Sequence, residues 1–182
     1  IKYYETLEKV IKKFHKDFIL GIGTGSTTNC FIEILKEKKP EMKCFVSSSS
    51  ASSDLLKDAG YIDAELNDVG GPDIYVDGAD EVNSKFELIK GGGGALTREK
   101  IIASASQKFI CIVDQTKVVD RFGKFPVAVE VIPMARSYVS RQIVAMGGRP
   151  NYRIGFLTDN GNQIIDVLNL NFDVPFEIEF VF

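Results

Sequence analysis

Phe18-Ile19-Leu20-Gly21-Ile22-Gly23-Thr24-Gly25-Ser26-Thr27-Thr28 is the stretch on which the fold turns. Its first five residues are an apolar run whose length and flanks predict a buried strand. A glycine-rich turn follows. Thr27 to Lys38 then reads as a helix, with Phe31, Ile34 and Leu35 on one stripe and Pro40 beyond its end. A strand that turns on glycines into a helix is the unit of a parallel α/β sheet, and its carboxyl end is where such sheets bind ligands. The helix start offers about half a positive charge and unpaired N–H groups, to which Thr24, Ser26 and Thr27 add donors suited to a phosphate. The dinucleotide fingerprint fails, because Ser26 replaces the third glycine and the next strand ends Phe45-Val46-Ser47 without an acid. The Walker pattern fails too, for want of a Gly-Lys-Ser/Thr ending. The bland alternative is a glycine turn with a Ser/Thr cap.

Working outward, a helix is expected from about Tyr3 to Phe14, a strand over Met42 to Val46, and a helix over Ala51 to Ala59 stopped by Gly60. The serines from Ser47 to Ser53 read as a strand-to-helix loop, since serine caps helices well. Ala64 to Leu66, Asp73 to Asp77, Phe86 to Ile89 and Lys108 to Val113 are further strands. A helix carrying Glu99 stands between the last two. Val127 to Val131 is a strand, Ala135 to Met146 a helix closed by Gly147, and Tyr152 to Leu157 with Gln163 to Leu168 a hairpin around Asp159-Asn160-Gly161. Strand and helix alternate first and strands cluster later. The expected fold is therefore α/β, a Rossmann-like parallel sheet layered with helices, plus a smaller α+β lobe. The boundary falls at 125/126: residues 1–125 form the α/β catalytic domain, with its last strand able to return from the carboxyl end, and 126–182 the lobe, read as incomplete.

The 182 residues, 45% hydrophobic and 26% charged, suit one domain with a substantial core and an appended lobe. No apolar run approaches the ~20 residues of a membrane helix, so no membrane partner is expected and a cytoplasmic address is the default. A net charge of −3 argues against nucleic acid. Cys30, Cys44 and Cys111 are scattered and odd in number, and read as small buried apolar residues. With His15 the sole histidine and no ligand cluster in view, a metal is the weakest option.

Two further motifs carry chemistry. Lys90-Gly91-Gly92-Gly93-Gly94 runs straight into Ala95-Leu96-Thr97-Arg98-Glu99-Lys100. Consecutive glycines are costly to order and are kept where backbone must approach something closely. In the helix that follows, Ala95, Leu96, Ile102, Ala103 and Ala105 share a broad apolar face that includes Glu99. Burial there would raise the Glu99 pKa, and a shift of about two units corresponds to roughly 2.7 kcal/mol, the usual condition of a general base. An ion pair of Glu99 with Arg98 or Lys90 is the alternative. The second motif, Asp77-Gly78-Ala79-Asp80-Glu81, closes the strand Ile74-Tyr75-Val76 with acids that could bind sugar hydroxyls or handle protons. It reads equally as an Asx turn with solvated acids.

Taken together, these three loops and the segment Phe125-Pro126-Val127 through Glu130-Val131-Ile132-Pro133-Met134-Ala135 resemble the ribose 5-phosphate isomerases of type A. The resemblance spans about Leu20 to Val167. It implies cofactor-free, metal-independent interconversion of D-ribose 5-phosphate and D-ribulose 5-phosphate through an enediolate, in the non-oxidative pentose phosphate pathway. Glu99 is then the base that carries a proton between C2 and C1. Asp77 assists ring opening with Asp80 beside it, and Lys90 with Gly91, Gly92 and Gly93 stabilises the oxyanion. Thr24, Gly25, Ser26, Thr27, Gly78, Ala79 and Lys117 are substrate-binding positions. Related enzymes form dimers or tetramers, so a homo-oligomer is implied. A basic residue that some members use for phosphate has no clear match, Lys2 being a guess. A sugar-phosphate sensor, an amino-sugar phosphate deaminase and a coenzyme A transferase are rivals on related folds.

Overall fold

In the computed structural model, which describes residues 11–172, the chain runs β1 (Ile19–Ile22), α1 (Ser26–Lys38), β2 (Cys44–Ser47), α2 (Ser50–Asp58), a single helical turn α3 (Leu66–Val69), β3 (Ile74–Asp77), β4 (Glu81–Val82), β5 (Leu88–Ile89), α4 (Leu96–Ala105), β6 (Phe109–Cys111), β7 (Val127–Val131), α5 (Arg136–Ala145), β8 (Arg149–Tyr152) and β9 (Gln163–Leu168). Short 3₁₀ turns occupy Gln115–Lys117 and Pro133–Ala135. The chain folds as two compact units, one of Ile1–Gly78 with Thr97–Val113, the other of Ala79–Leu96 with Asp114–Phe182. The units are interleaved along the chain, whereas the sequence reading used one boundary after residue 125.

In the first unit β2, β1, β3 and β6 lie in that order, all parallel, with Leu20 beside Phe45 and Ile74, and Asp77 beside Cys111. Such strands are apolar throughout because helices cover both faces. Side chains alternate across the pleat. Leu20, Ile22, Ile74 and Val76 meet Phe31, Ile32 and Leu35 of α1 and Leu56 of α2 on one face. Ile19, Cys44, Val46 and Tyr75 meet Ile102 of α4 on the other. Phe31, Leu35 and Leu56 are fully buried, each worth about 2 kcal/mol of apolar burial. A side chain at Gly21 would stand 2.8 Å from the Tyr75 ring and 3.1 Å from Ile102, so its absence lets α4 lie close on the sheet. Ser49 starts α2 as read, its hydroxyl accepting the Ser52 N–H at 3.2 Å.

In the second unit β4 and β5 pair antiparallel, and β7, β9 and β8 form an antiparallel sheet in that order. Val129, Val131, Ile165 and Val167 pack with Ile143 of α5 and with Leu170. Pro150 lies in β8, an edge strand, where its missing N–H leaves no central ladder bond unmade.

Five expectations differ from the structure. Ala64–Leu66 is not a strand: Asp63 makes a lone parallel bridge to Phe45, and Leu66 begins α3, which ends at Gly70 with φ 75°. The hairpin strand lies earlier, at Arg149–Tyr152, because Ile154 and Leu157 point outward and bury nothing. The turn at its tip stands, with Gly161 N–H on Thr158 C=O and the Glu130 carboxylate accepting from Thr158, Asn160 and Asn162. The apolar face of α4 is narrower than expected, Glu99 and Ile102 being its buried residues while Ala105 is exposed. Cys44 is buried and Cys111 half-buried, but Cys30 is exposed, since α1 turns Phe31, Ile32, Ile34 and Leu35 inward instead. The strand expected over Phe86–Ile89 is confined to Leu88–Ile89, Phe86 standing in a turn with φ 62°. Most of the helix expected over Tyr3–Phe14 lies outside the described residues, as does Lys2.

Candidate active site

The period of two that buries Tyr75 also decides where Asp77 points, because residues two apart in a strand share a face. Both therefore face α4. Ile102 anchors α4 on that face, and Glu99, three residues earlier, lies on the same side of the helix. Asp77 is 1% exposed and Glu99 4%. The Tyr75 hydroxyl, itself fully buried, donates to Asp77 Oδ2 at 2.6 Å. Burial pushes the Tyr75 phenol far above its ordinary value, and the negative charges of Asp77 and Glu99 push it further the same way. One neutral hydroxyl thus feels two buried carboxylates.

The other Asp77 oxygen is held by backbone. Oδ1 accepts the N–H of Gly78 at 2.7 Å and of Thr24 at 3.2 Å. That approach requires the glycine before Thr24: a Cβ on Gly23 would sit 1.9 Å from Asp77 Cγ. Gly23 is fixed in turn, its N–H on Val76 C=O and its C=O taking the Ser52 hydroxyl at 2.7 Å. Thr24 Oγ1 lies 3.0 Å from the hydroxyl of Ser48, a buried residue just past β2.

The two helices that leave β1 and β2 begin differently. α2 is capped by Ser49, whereas α1 begins on Gly25 with no side-chain cap. The first amides of α1, at Ser26, Thr27 and Thr28, keep their capacity for an anion. Ser26 is exposed and Thr27 half-buried beside Gly78, where a Cβ would meet Thr27 Cβ at 4.0 Å. The first unit therefore joins Thr24 and Asp77, and the charges of Asp77 and Glu99 meet at Tyr75.

In the second unit Lys90 follows β5 directly and is half-buried, and Gly91 and Gly94 have φ near +90° around the exposed Gly93. Asp80 Oδ2 accepts the Gly92 N–H at 2.8 Å, and a Cβ on Gly92 would stand 2.7 Å from Asp80 Oδ1 and from the Phe125 ring. Phe125 is placed by Glu81, 3% exposed, whose carboxylate accepts the Phe125 N–H at 2.8 Å. Ala79 is half-buried ahead of Asp80, and Lys117 ends a 3₁₀ turn that Asp114 caps.

A cavity of about 600 Å³ in the first unit is lined by Ser47, Lys57, Asp63, Arg98 and Ile101 among others, and by none of the expected site residues. Asp63 is already engaged there by the Ser47 N–H and hydroxyl. It does not displace the Asp77 cluster as the candidate site. Tyr75 and Ser48 in the first unit are members sequence reasoning missed, as is Arg153 in the second, whose Nη1 donates to the Gly92 carbonyl. Tyr75 was signalled by its place two residues before Asp77; Arg153 had no comparable sign.

The sequence pattern of the family described as Ribose 5-phosphate isomerase A (phosphoriboisomerase A) matches residues 44–179. The chain belongs to the ribose 5-phosphate isomerase A family. A curated relative, the ribose-5-phosphate isomerase A of Legionella pneumophila (strain Lens), is 60% identical over 163 residues, 90% of this chain and 76% of its own length. The crystal structure of ribose 5-phosphate isomerase A from Neisseria gonorrhoeae superposes with a TM-score of 0.91 at 50% identity, covering 96% of this chain and 78% of that one. A D-ribose-5-phosphate isomerase in complex with phospho-erythronic acid gives 0.90 at 36%, covering 96% and 81%. The Rossmann-like layer and the antiparallel lobe are thus the fold of this family. No helix among the described residues is long and apolar enough to cross a membrane.

Proposed function

We propose that this chain interconverts D-ribose 5-phosphate and D-ribulose 5-phosphate by proton transfer between C2 and C1, with Glu99 as the base. The observation that carries the mechanism is the pair of buried carboxylates, Asp77 at the end of β3 and Glu99 on the side of α4 that packs on the same face of the sheet. Glu99 takes the proton from C2 of the open-chain aldose and the C–H electron pair forms the C1–C2 double bond, placing negative charge on O1. O1 gains a proton as O2 loses one, and Glu99 returns its proton to C1 to give the ketose. Asp77 exchanges the ring-opening proton, its orientation set by Tyr75, Thr24 and Gly78. Asp80 assists it. Lys90 and the amides of Gly91 and Gly93 stabilise the oxyanion, where one preorganised donor is worth about 3 kcal/mol, while the Gly92 N–H, held by Asp80, fixes the turn that presents them. Thr24 to Thr27 at the uncapped start of α1 take the phosphate, and Gly78, Ala79 and Lys117 complete the substrate contacts.

The same reading includes a cytoplasmic address, no nucleic-acid or membrane partner, and a homodimer or homotetramer, to be checked by light scattering. Family resemblance supports the assembly, and the net charge of −3 supports the absence of nucleic acid. The test of function is incubation with ribose 5-phosphate in heavy water. Ribulose 5-phosphate carrying deuterium at C1 is the expected product; binding without exchange or ketose would instead favour a sugar-phosphate sensor.

A further inference from the structure

The glycine turn of the second unit holds an orientation that its own residues do not impose. Gly91 C=O accepts the Gly94 N–H at 2.9 Å, which makes Gly92 and Gly93 the central pair of a four-residue turn. Turns of types I and II differ by rotating the central peptide by roughly 150°. Here that peptide joins the Gly92 carbonyl to the Gly93 N–H. With glycine at both positions, no side chain of the turn selects between the two forms. In a trans peptide the N–H and C=O point in opposite directions. One form therefore offers the Gly93 N–H to a given side, and the flipped form offers the Gly92 carbonyl. An amide stabilises a developing oxyanion, while a carbonyl oxygen repels it.

Asp80 does not make the choice, since its bond to the Gly92 N–H fixes only the preceding peptide. Arg153 does. Its Nη1 donates to the Gly92 carbonyl at 3.0 Å. The guanidinium is itself held as a fork on Asp166, Nε to Oδ2 at 2.8 Å and Nη2 to Oδ1, and its Cζ lies 5.2 Å from the centre of the Phe156 ring. A two-pronged arginine–carboxylate pair fixes direction as well as distance. Phe156 closes the other end of the turn, where a Cβ on Gly94 would stand 2.3 Å from its ring.

We propose that Arg153, oriented by Asp166, is a positioning residue that locks the Gly92–Gly93 peptide with its N–H serving the oxyanion. The proposal rests on the isomerase reading, in which this turn meets the reacting end of the sugar.

The experiment measures kcat and KM for ribose 5-phosphate, inhibition by 4-phospho-erythronate and by inorganic phosphate, and melting temperature, for wild type, Arg153→Ala, Arg153→Lys and Asp166→Asn. Phospho-erythronate carries a planar anionic carboxylate, a mimic of the enediolate; inorganic phosphate does not. Because one donor is misdirected rather than deleted, kcat in Arg153→Ala should fall about thirtyfold to a hundredfold with KM nearly unchanged. Phospho-erythronate should weaken by a similar factor and inorganic phosphate should not. Arg153→Lys cannot hold the fork and the carbonyl together, so it and Asp166→Asn should each lose about tenfold in the same pattern. An arginine that only braced the lobe would lower the melting temperature and leave kcat intact well below it. Near-normal kcat in folded Arg153→Ala would overturn the proposal, as would equal weakening of both inhibitors. Should Arg153→Ala not fold, the other two variants decide by the same criteria. A wild-type protein that does not isomerise sinks the isomerase reading and this proposal together, whereas normal turnover in wild type and variants alike removes this proposal alone.

Discussion

Tyr75→Phe deletes one oxygen from beside Asp77 and leaves the ring in place against Phe109, 5.5 Å away between centroids. What is lost is the 2.6 Å bond to Asp77 Oδ2, in a site where neither residue is more than 1% exposed. A hydrogen bond to a charged group is worth about 1.5–3 kcal/mol, so the variant should lose about 2 kcal/mol. For a chain of this size that is a fall in Tm of roughly 4–8 °C. Asp77 keeps the Thr24 and Gly78 amides on its other oxygen, so its carboxylate should survive with looser orientation. Reaction from the cyclic sugar should therefore slow about tenfold, only part of the roughly 10²–10⁴-fold that a positioned acid or base contributes, since Asp77 is loosened and not removed.

Alkaline pH adds a second arm to this test. The Tyr75 phenol is raised by burial first, then by the charges of Asp77 and Glu99. Below pH about 10 it is neutral in folded and unfolded chains, and its stabilisation is present in full. Above that pH the unfolded chain releases the proton and the folded chain does not, so stability falls by up to about 1.4 kcal/mol per pH unit from this residue. Tyr61, also raised by burial, contributes in the same direction in both proteins. Denaturant titrations from pH 8 to 11 should thus show a shallower alkaline loss for Tyr75→Phe. Equal stability at neutral pH together with an unchanged alkaline slope would refute the coupling of Tyr75 to Asp77.

Three other perturbations probe the remaining parts. Glu99→Gln should lower kcat by about 10²–10⁴ while ribose 5-phosphate still binds by calorimetry, and near-normal turnover would remove the base assignment. Asp77→Asn should slow reaction mainly from the cyclic sugar; an equal loss with an open-chain analogue would argue against ring opening as its task. Ser49→Ala removes the cap of α2 and should cost about 1 kcal/mol in urea unfolding, with kcat unaffected.

The parallel layer was legible because each of its strands is a short apolar run bounded by turn residues, and β1 passes into α1 through glycines that announce the turn. Val127–Val131 was readable to the residue, as a valine-rich run between Pro126 and Pro133. What local pattern hid was decided at a distance. Leu66 reads as strand, yet Asp63 alone pairs with Phe45 and the backbone coils at once into α3. Arg153 lies in a stretch of alternating residues that suggested a strand, but its partners stand 13 and 61 positions away. Glu99 was legible as a carboxylate among apolar residues, whereas the Tyr75 hydroxyl that senses it became evident only when the sheet and α4 were seen together. Spacing shows which face a residue takes, and packing decides what it meets there.

The bare start of α1 has a thermodynamic corollary. Ser49 closes α2 from within the chain and α1 has no such cap, so on the proposed reading, in which the sugar phosphate sits at the start of α1, the bound phosphate is also a folding ligand. At a hundred times its dissociation constant such a ligand adds about 2.7 kcal/mol to the folded state. On that reading the unliganded protein stands nearer its unfolding threshold, and added sugar phosphate should raise its melting temperature.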